Sequence, residues 1–395
     1  MEIRDKVQQE ASTAWFDANG VGTLALGTGV GKSKVAIDIV KIQSAMNENY
    51  RVMLVTPTII LHEQNWRNEF EKFEAIELYN RLTRVCYVSL PKYDPDDYDL
   101  IIFDEYHHIS ERGFDDFSSR INPGKTKILG LTATPPKRGD RKDRFDEICP
   151  VVYAYSVGEA AGIIVNDFHI NVIKVPLDSV TKNIKAGTAK ASFFTTEQAN
   201  YEYWSKEVEL AGNSGDQQRL MWKALSRKRA LDNFPSRVVY AKKIISAELT
   251  GYKSIIFAPS IKQAEQVCSH AFHSKVQDGQ MIVDFIEDRL DHIAAVSMID
   301  EGMTMGKVEK ALIMKLSSTD KTFVQRIGRV CRNDLDKISH IYVLVYANTV
   351  EEKYLKEALS SIDDSKISYH KISEYDSTTK TTNRELEFGR GDVKS

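Results

Sequence analysis

Cysteine is scarce and scattered: Cys86, Cys149, Cys268 and Cys331 are the only four in 395 residues, and no two form a CxxC pair. That spacing indicates neither a zinc site nor a disulfide framework, and four reduced, structural thiols are expected. Long apolar runs are missing as well. No stretch approaches the roughly 18 consecutive apolar residues of a membrane span, which argues against a membrane partner. The opening MEIRDKVQQE is charged where a secretory leader would be apolar. The expected location is therefore intracellular: cytoplasmic, or the host cytoplasm for a viral protein. An excess of one charge is also absent. With a formal net charge of −3, any surface for nucleic acid must be local. What is present is apolar substance, 42% of a chain too long for one ordinary core, as expected of a globular protein with two or three domains.

The most informative stretch is TLALGTGVGKSKVAIDIV, residues 23–40. Thr23 to Leu26 read as a strand. Gly27, Gly29 and Gly31, with Thr28 and Val30 between them, then permit a tight loop whose backbone N–H groups can approach phosphate oxygens. Lys32 and Ser33 open a helix whose N-terminus carries partial positive charge. In such a cradle Lys32 neutralises the β- and γ-phosphates of a nucleoside triphosphate and the Ser33 hydroxyl ligates Mg²⁺. The strict pattern has glycine where this chain has Leu26.

Several other apolar runs end in polar clusters. RVMLV runs into Thr56-Pro57-Thr58, IIF into Asp104-Glu105-Tyr106-His107-His108, and KILGL into Thr132-Ala133-Thr134-Pro135. Apolar runs separated by helical patterns imply parallel βαβ units, in which ligands bind beyond the carboxyl ends of the strands. Asp104 is then the expected direct or water-mediated partner of Mg²⁺, and Glu105 is placed to polarise the attacking water.

The middle of the chain says less. IIVNDFHINVIKVPLD alternates as an edge or connecting strand would; Lys182 to Lys190 with Phe193 and Phe194 is a combination suited to phosphates and stacked bases, although a solvated loop before helices is the reading preferred; and 197–247 is mostly helical. From Lys253 a second α/β unit begins: SIIFAPS, then AAVSMIDEGMT, then ALIMKLSS, and a helix carrying Gln325-Arg326-Ile327-Gly328-Arg329-Val330-Cys331-Arg332. Arg329 and Arg332 share a helical face with few carboxylates at helical spacing, which leaves them available to an anion.

With these motifs in this order, the chain resembles superfamily-two helicases of the DExH type across nearly its whole length. GTGVGKS resembles motif I, VTPT motif Ia, DEYH motif II, TAT motif III, IIFAPS motif IV, DEGMT motif V and QRIGRVCR motif VI; Gln8 resembles the adenine-contacting glutamine upstream of motif I. Within the family the arrangement is similar to phage branch-migration helicases and restriction-enzyme motor subunits. The resemblance implies an α/β fold: two tandem RecA-like domains with parallel sheets and a partly helical connector. The expected boundaries are 1–165, a connector over 166–250, 251–375, and a polar tail over 376–395.

The resemblance also implies an ATP hydrolase with Mg²⁺. Lys32, Asp104, Glu105, Arg329 and Arg332 carry catalysis, and Gly302 and the two arginines join the motif I residues and Gln8 around the nucleotide. His107, Thr132, Thr134 and Gln325 couple hydrolysis to movement. Thr56, Pro57, Thr58 and Ser260 contact nucleic acid, with DNA favoured and held largely through its backbone. Departures occur at Tyr106, where alanine is common, and at Thr304, where aspartate is often found. An RNA helicase, and a nucleic-acid-stimulated ATPase without unwinding, remain the alternatives; oligomeric state is not readable.

Overall fold

The computed structural model describes residues 2–58, 65–106, 116–117, 119–122, 124–133, 135, 140–188, 191–273, 276, 280–296, 308–316, 323, 326–327, 330, 337–360 and 362–375. These divide into two compact units, the first chiefly Met1–Asp167 and the second chiefly Phe168 onward.

In the first unit a six-stranded sheet has the order β3-β2-β4-β5-β1-β6. Its strands are β1 (Val21–Leu26), β2 (Val52–Thr56), β3 (Thr83–Cys86), β4 (Leu100–Asp104), β5 (Lys127–Thr132) and β6 (Val151–Tyr155). All five pairings are parallel. β2 is buried at every position, and β1, β4 and β5 at all but one each. That is the signature of strands covered on both faces, and explains why they read as continuous apolar runs. Helix α1 (Ile3–Asp17) packs on this sheet through Trp15, fully buried, whose indole N–H donates to the Ile128 carbonyl at 2.9 Å. Helix α2 (Lys32–Met46) follows β1 and buries Val35, Ala36, Ile37, Ile39 and Val40.

Because the strands are parallel, the polar tips identified in the sequence emerge at one edge of the sheet. β1 lies beside β5 and β5 beside β4. The register sets Ala25 opposite Thr132 and Asp104 opposite Leu131. Motifs far apart in sequence are thereby brought onto adjacent strand ends.

The second unit holds a seven-stranded sheet of order β11-β12-β10-β13-β14-β7-β15. Its strands are β7 (Asp167–Val175), β10 (Ser254–Phe257), β11 (Ala271–Phe272), β12 (His292–Ala295), β13 (Lys310–Ile313), β14 (Ile338–Tyr346) and β15 (Ile367–Lys371). Part of the stretch read as a connector thus contributes β7 to the interior of this sheet. Its run Ile170, Val172, Ile173 and Val175 is fully buried, since β14 and β15 flank it. The helices Glu197–Asn213, Gln217–Asn233 and Ser236–Ile244 follow.

The stretch read as a solvated loop instead contains an antiparallel pair, β8 (Ile184–Gly187) with β9 (Ser192–Thr195). Gly187 permits its turn: φ is +91°, and a β-carbon there would lie 2.2 Å from the Ala191 carbonyl oxygen. Phe193 and Phe194 are nevertheless exposed, as a solvated segment requires. Among the described residues no helix is long and apolar enough to cross a membrane. The expected tail, 376–395, lies outside the described residues.

Candidate active site

β1 stops at Leu26, which is fully buried and serves as the last core residue of the strand. The glycine of the strict pattern is unnecessary there because the chain turns one residue later. At Gly27 a β-carbon would lie 2.6 Å from the backbone nitrogen of Val157, so the loop can pass only as glycine. Gly31 is required by its backbone, and any side chain there would also displace Gln8. The φ of Gly31 is +109°, and a β-carbon would lie 2.2 Å from Gln8 Nε2. Gln8 in turn donates from Nε2 to the Val30 carbonyl at 2.8 Å. The glutamine placed upstream in the sequence therefore rests directly on the glycine-rich loop. Thr28 is buried, Gly29 is exposed with φ +90°, and Ser33 lies half-buried in the first turn of α2.

Lys32 projects from the start of α2 toward the strand ends. Its Nζ donates to the Leu26 carbonyl at 3.3 Å and stands 3.8 Å from Glu105 Oε1. The other oxygen of Glu105, Oε2, accepts from the Thr132 hydroxyl at 3.3 Å. One carboxylate thus links motif I, motif II and motif III. Glu105 holds this position with φ +47°, in the left-handed region that side chains seldom adopt.

Asp104 precedes it. It is half-buried, with Oδ2 accepting from the Trp66 indole N–H at 2.8 Å, while its carbonyl accepts from the Tyr87 hydroxyl, also at 2.8 Å. Burial, then the Glu105 charge, push the Asp104 carboxyl up to about 6; the Trp66 hydrogen bond and Lys32 pull the other way. Tyr106, noted as a departure from the usual alanine, is buried and packs edge-on against Phe145 at 4.5 Å, within the first unit's core.

The oxygen chemistry suits Mg²⁺: a hydroxyl at Ser33, a half-buried carboxylate at Asp104 and a loop for phosphates match a hard cation that keeps few protein ligands and shares the rest with substrate. Among the described residues no cluster of three His, Cys, Asp or Glu could form an all-protein metal cage.

The remaining expected residues are distributed as follows. Thr56 is buried at the end of β2, its hydroxyl donating to the Thr58 carbonyl at 2.9 Å; Pro57 is half-buried and Thr58 exposed. Ser260, in the second unit, caps the helix Ile261–Val267 by accepting from the Gln263 N–H at 3.4 Å. His107, Thr134, Gly302, Gln325, Arg329 and Arg332 lie outside the described residues. Trp66 and Tyr87 were missed as site residues. Trp66 reads in the sequence as one apolar position of a helix, and the available signal was its N–H, which a buried indole must satisfy.

Residues 1–83 and 76–137 match a family model described as the res subunit of type III restriction enzymes. A DNA 3'-5' translocase, XPB2 of Sulfurisphaera tokodaii, is 26% identical over 378 residues, 89% of this chain and 83% of the relative. Among solved structures, the ATP-dependent type ISP restriction-modification enzyme LlaBIII bound to DNA superposes on 97% of this chain at 15% identity and a TM-score of 0.58. This chain spans 32% of that enzyme. Dbp5 of S. cerevisiae, bound to RNA and ADP BeF3, gives a TM-score of 0.57 at 13% identity over 96% of this chain and 93% of its own. These similarities give the fold, two tandem RecA-like domains. The family match and the homologue make the chain similar to restriction-enzyme motor subunits and to a DNA translocase, in keeping with the order of its motifs.

Proposed function

We propose that the chain is an ATP-driven motor acting on DNA, a translocase or helicase. The observation that carries this reading is the Glu105 carboxylate, held between Lys32 of the phosphate loop and Thr132 of the neighbouring strand end. The homologue that is a DNA 3'-5' translocase favours DNA over RNA.

In this mechanism the loop from Gly27 to Gly31 wraps the phosphates with its N–H groups and Gln8 reads the adenine edge. Lys32 moves from Glu105 onto the β- and γ-phosphate oxygens. Release from Lys32 frees Glu105 to orient a water for in-line attack on the γ-phosphorus. Ser33 and Asp104 would hold Mg²⁺, which would supply positive charge against the phosphates. Arg329 and Arg332 stabilise the charge of the transition state, with Gly302 completing the nucleotide contacts. Thr132 shares a hydrogen bond with Glu105, so a change at the carboxylate is felt at the strand end. Thr134, His107 and Gln325 extend that coupling.

Thr56, Pro57, Thr58 and Ser260 grip the nucleic-acid backbone, which makes binding independent of sequence and weaker as salt rises. An intracellular location belongs to the same reading.

An ATPase assay comparing single-stranded DNA, duplex DNA, forked DNA and RNA at one salt concentration tests it. Stimulation by DNA is expected, and stimulation by RNA alone would transfer the motor to RNA. ATPase stimulation with neither displacement of a forked strand nor displacement of a triplex-forming strand would reduce it to a non-translocating, nucleic-acid-sensing ATPase.

A further inference from the structure

Trp66 is 3% exposed and lies directly before the short helix Arg67–Lys72. A buried indole can satisfy its N–H on any nearby carbonyl; this one donates to Asp104 Oδ2 at 2.8 Å. A hydrogen bond to a charged acceptor is stronger and more directional than one to a neutral acceptor. The ring itself has little freedom. It packs on Phe70 at 6.1 Å, Phe70 packs on Tyr79 at 5.6 Å, and the Arg84 guanidinium covers Tyr79 at 4.5 Å. Phe70 and Tyr79 are both buried. The donor is thus mounted on a packed aromatic stack, while the Tyr87 hydroxyl holds the Asp104 carbonyl. Backbone and carboxylate of the same residue are fixed from two separate elements.

We infer that Trp66 is a positioning residue for the metal-binding carboxylate, fixing the Asp104 side chain so that it meets Mg²⁺ without first having to be ordered. This rests on the ATPase reading above. Trp66 therefore orients the ligand. Its effect passes through Asp104, the acceptor of its indole N–H.

The test measures Mg²⁺ demand. In Trp66→Phe the ring and its stacking persist and the donor is lost. The Mg²⁺ concentration that half-saturates binding of a fluorescent ADP should rise about tenfold, while ADP binding without Mg²⁺ and the melting temperature stay close to the parent values. A packing role would instead lower the melting temperature and weaken both bindings together, and that pattern overturns the inference, as does an unchanged Mg²⁺ demand.

A second measurement needs no variant. In the unaltered protein, ¹⁵N-labelled at its four tryptophans, one indole N–H resonance should shift when Mg²⁺ is added to the ADP complex and broaden when Mn²⁺ replaces it. Four unmoved indoles in a protein that binds Mg²⁺-ADP would sink the role of Trp66 and leave the ATPase reading standing. A protein whose nucleotide binding ignores Mg²⁺ would lose both.

Discussion

Arg237 and Glu351, in the second unit, meet at 2.6 Å with 0% and 3% of their side chains exposed; Lys32 and Glu105, in the first, stand 3.8 Å apart with 14% and 20% exposed. Both pairs sit among buried residues, yet they are held differently. Arg237 also donates to the carbonyls of Leu231 and Met314 and lies over the Tyr346 ring at 4.4 Å, while the second oxygen of Glu351 accepts from the Tyr346 N–H at 2.9 Å. Its charge is committed to the fold. Lys32 has a long contact to Glu105 and a 3.3 Å bond to a carbonyl, and a phosphate offers it a better partner than either. The contrast separates charge that ties helices to a strand from charge left ready for exchange. A buried pair that cannot exchange partners is structural, and one that can is a site.

The strongest way to break the comparison is Lys32→Ala. Because its partners are weak, its removal should leave the melting temperature within a few degrees of the parent while ATP turnover nearly vanishes. Undiminished turnover in the folded variant would return Lys32 to the class of structural charges. Glu105→Gln sharpens the same point one step later. The amide keeps shape and the link to Thr132 but cannot polarise water, so nucleotide should still bind while turnover falls by about 10² or more. Equal loss of binding and turnover, read by fluorescent nucleotide titration beside a phosphate-release assay, would assign Glu105 to structure instead.

The opposite response is expected from the second unit. Glu351→Ala strands a buried guanidinium and should cost about 3–5 kcal/mol of stability. Replacing both partners, Arg237→Met with Glu351→Leu, should recover much of it because no charge is then left unpaired. Denaturant titration of the three proteins measures this. A single variant as stable as the parent would show that the pair contributes nothing.

The two sites also differ in how far the sequence exposed them. The placement of Gly27, Gly31, Lys32 and Asp104 beyond strand ends was legible because parallel strands bury continuous apolar runs and deliver their polar ends to one edge. Gln8 was legible by resemblance, and its contact with Val30 gives the physical reason for the spacing. Trp66 was not legible as a site residue, since at helical spacing with Phe70 it is indistinguishable from core until its N–H has a partner. β7 was misread in place: alternation in DFHINVIKV suggested an edge or connector, whereas pairing with β14 and β15 buries both faces of its second half. β15, with Ser368, His370 and Lys371 in five residues, carries too few apolar side chains to register as a strand alone. Arg237 and Glu351 lie 114 residues apart, and no local pattern joins them.

The smallest expected effect concerns Asp104, where the two kinds of charge meet in one residue. Asp104 is half-buried where Glu351 is fully enclosed, and its burial and the neighbouring Glu105 charge hold its carboxyl up at about 6 in the folded protein, above its ordinary 3.8. Between those values the folded state binds more protons than the unfolded chain, so stability falls as pH rises through this window and the loss is complete above about 6. The shift corresponds to roughly 2–3 kcal/mol against the fold at neutral pH. Asp104→Asn removes the charge while keeping an acceptor for the Trp66 indole. In the absence of nucleotide and Mg²⁺ the variant should therefore melt higher than the parent at pH 8, with the gap closing toward pH 4. Adding Mg²⁺ and nucleotide should stabilise the parent and not the variant, because only the ionised carboxylate gains a partner. A gap that is flat across pH 4 to 8 would mean that the Trp66 and Lys32 contacts already offset the burial of Asp104, and that its charge is as settled as that of Glu351.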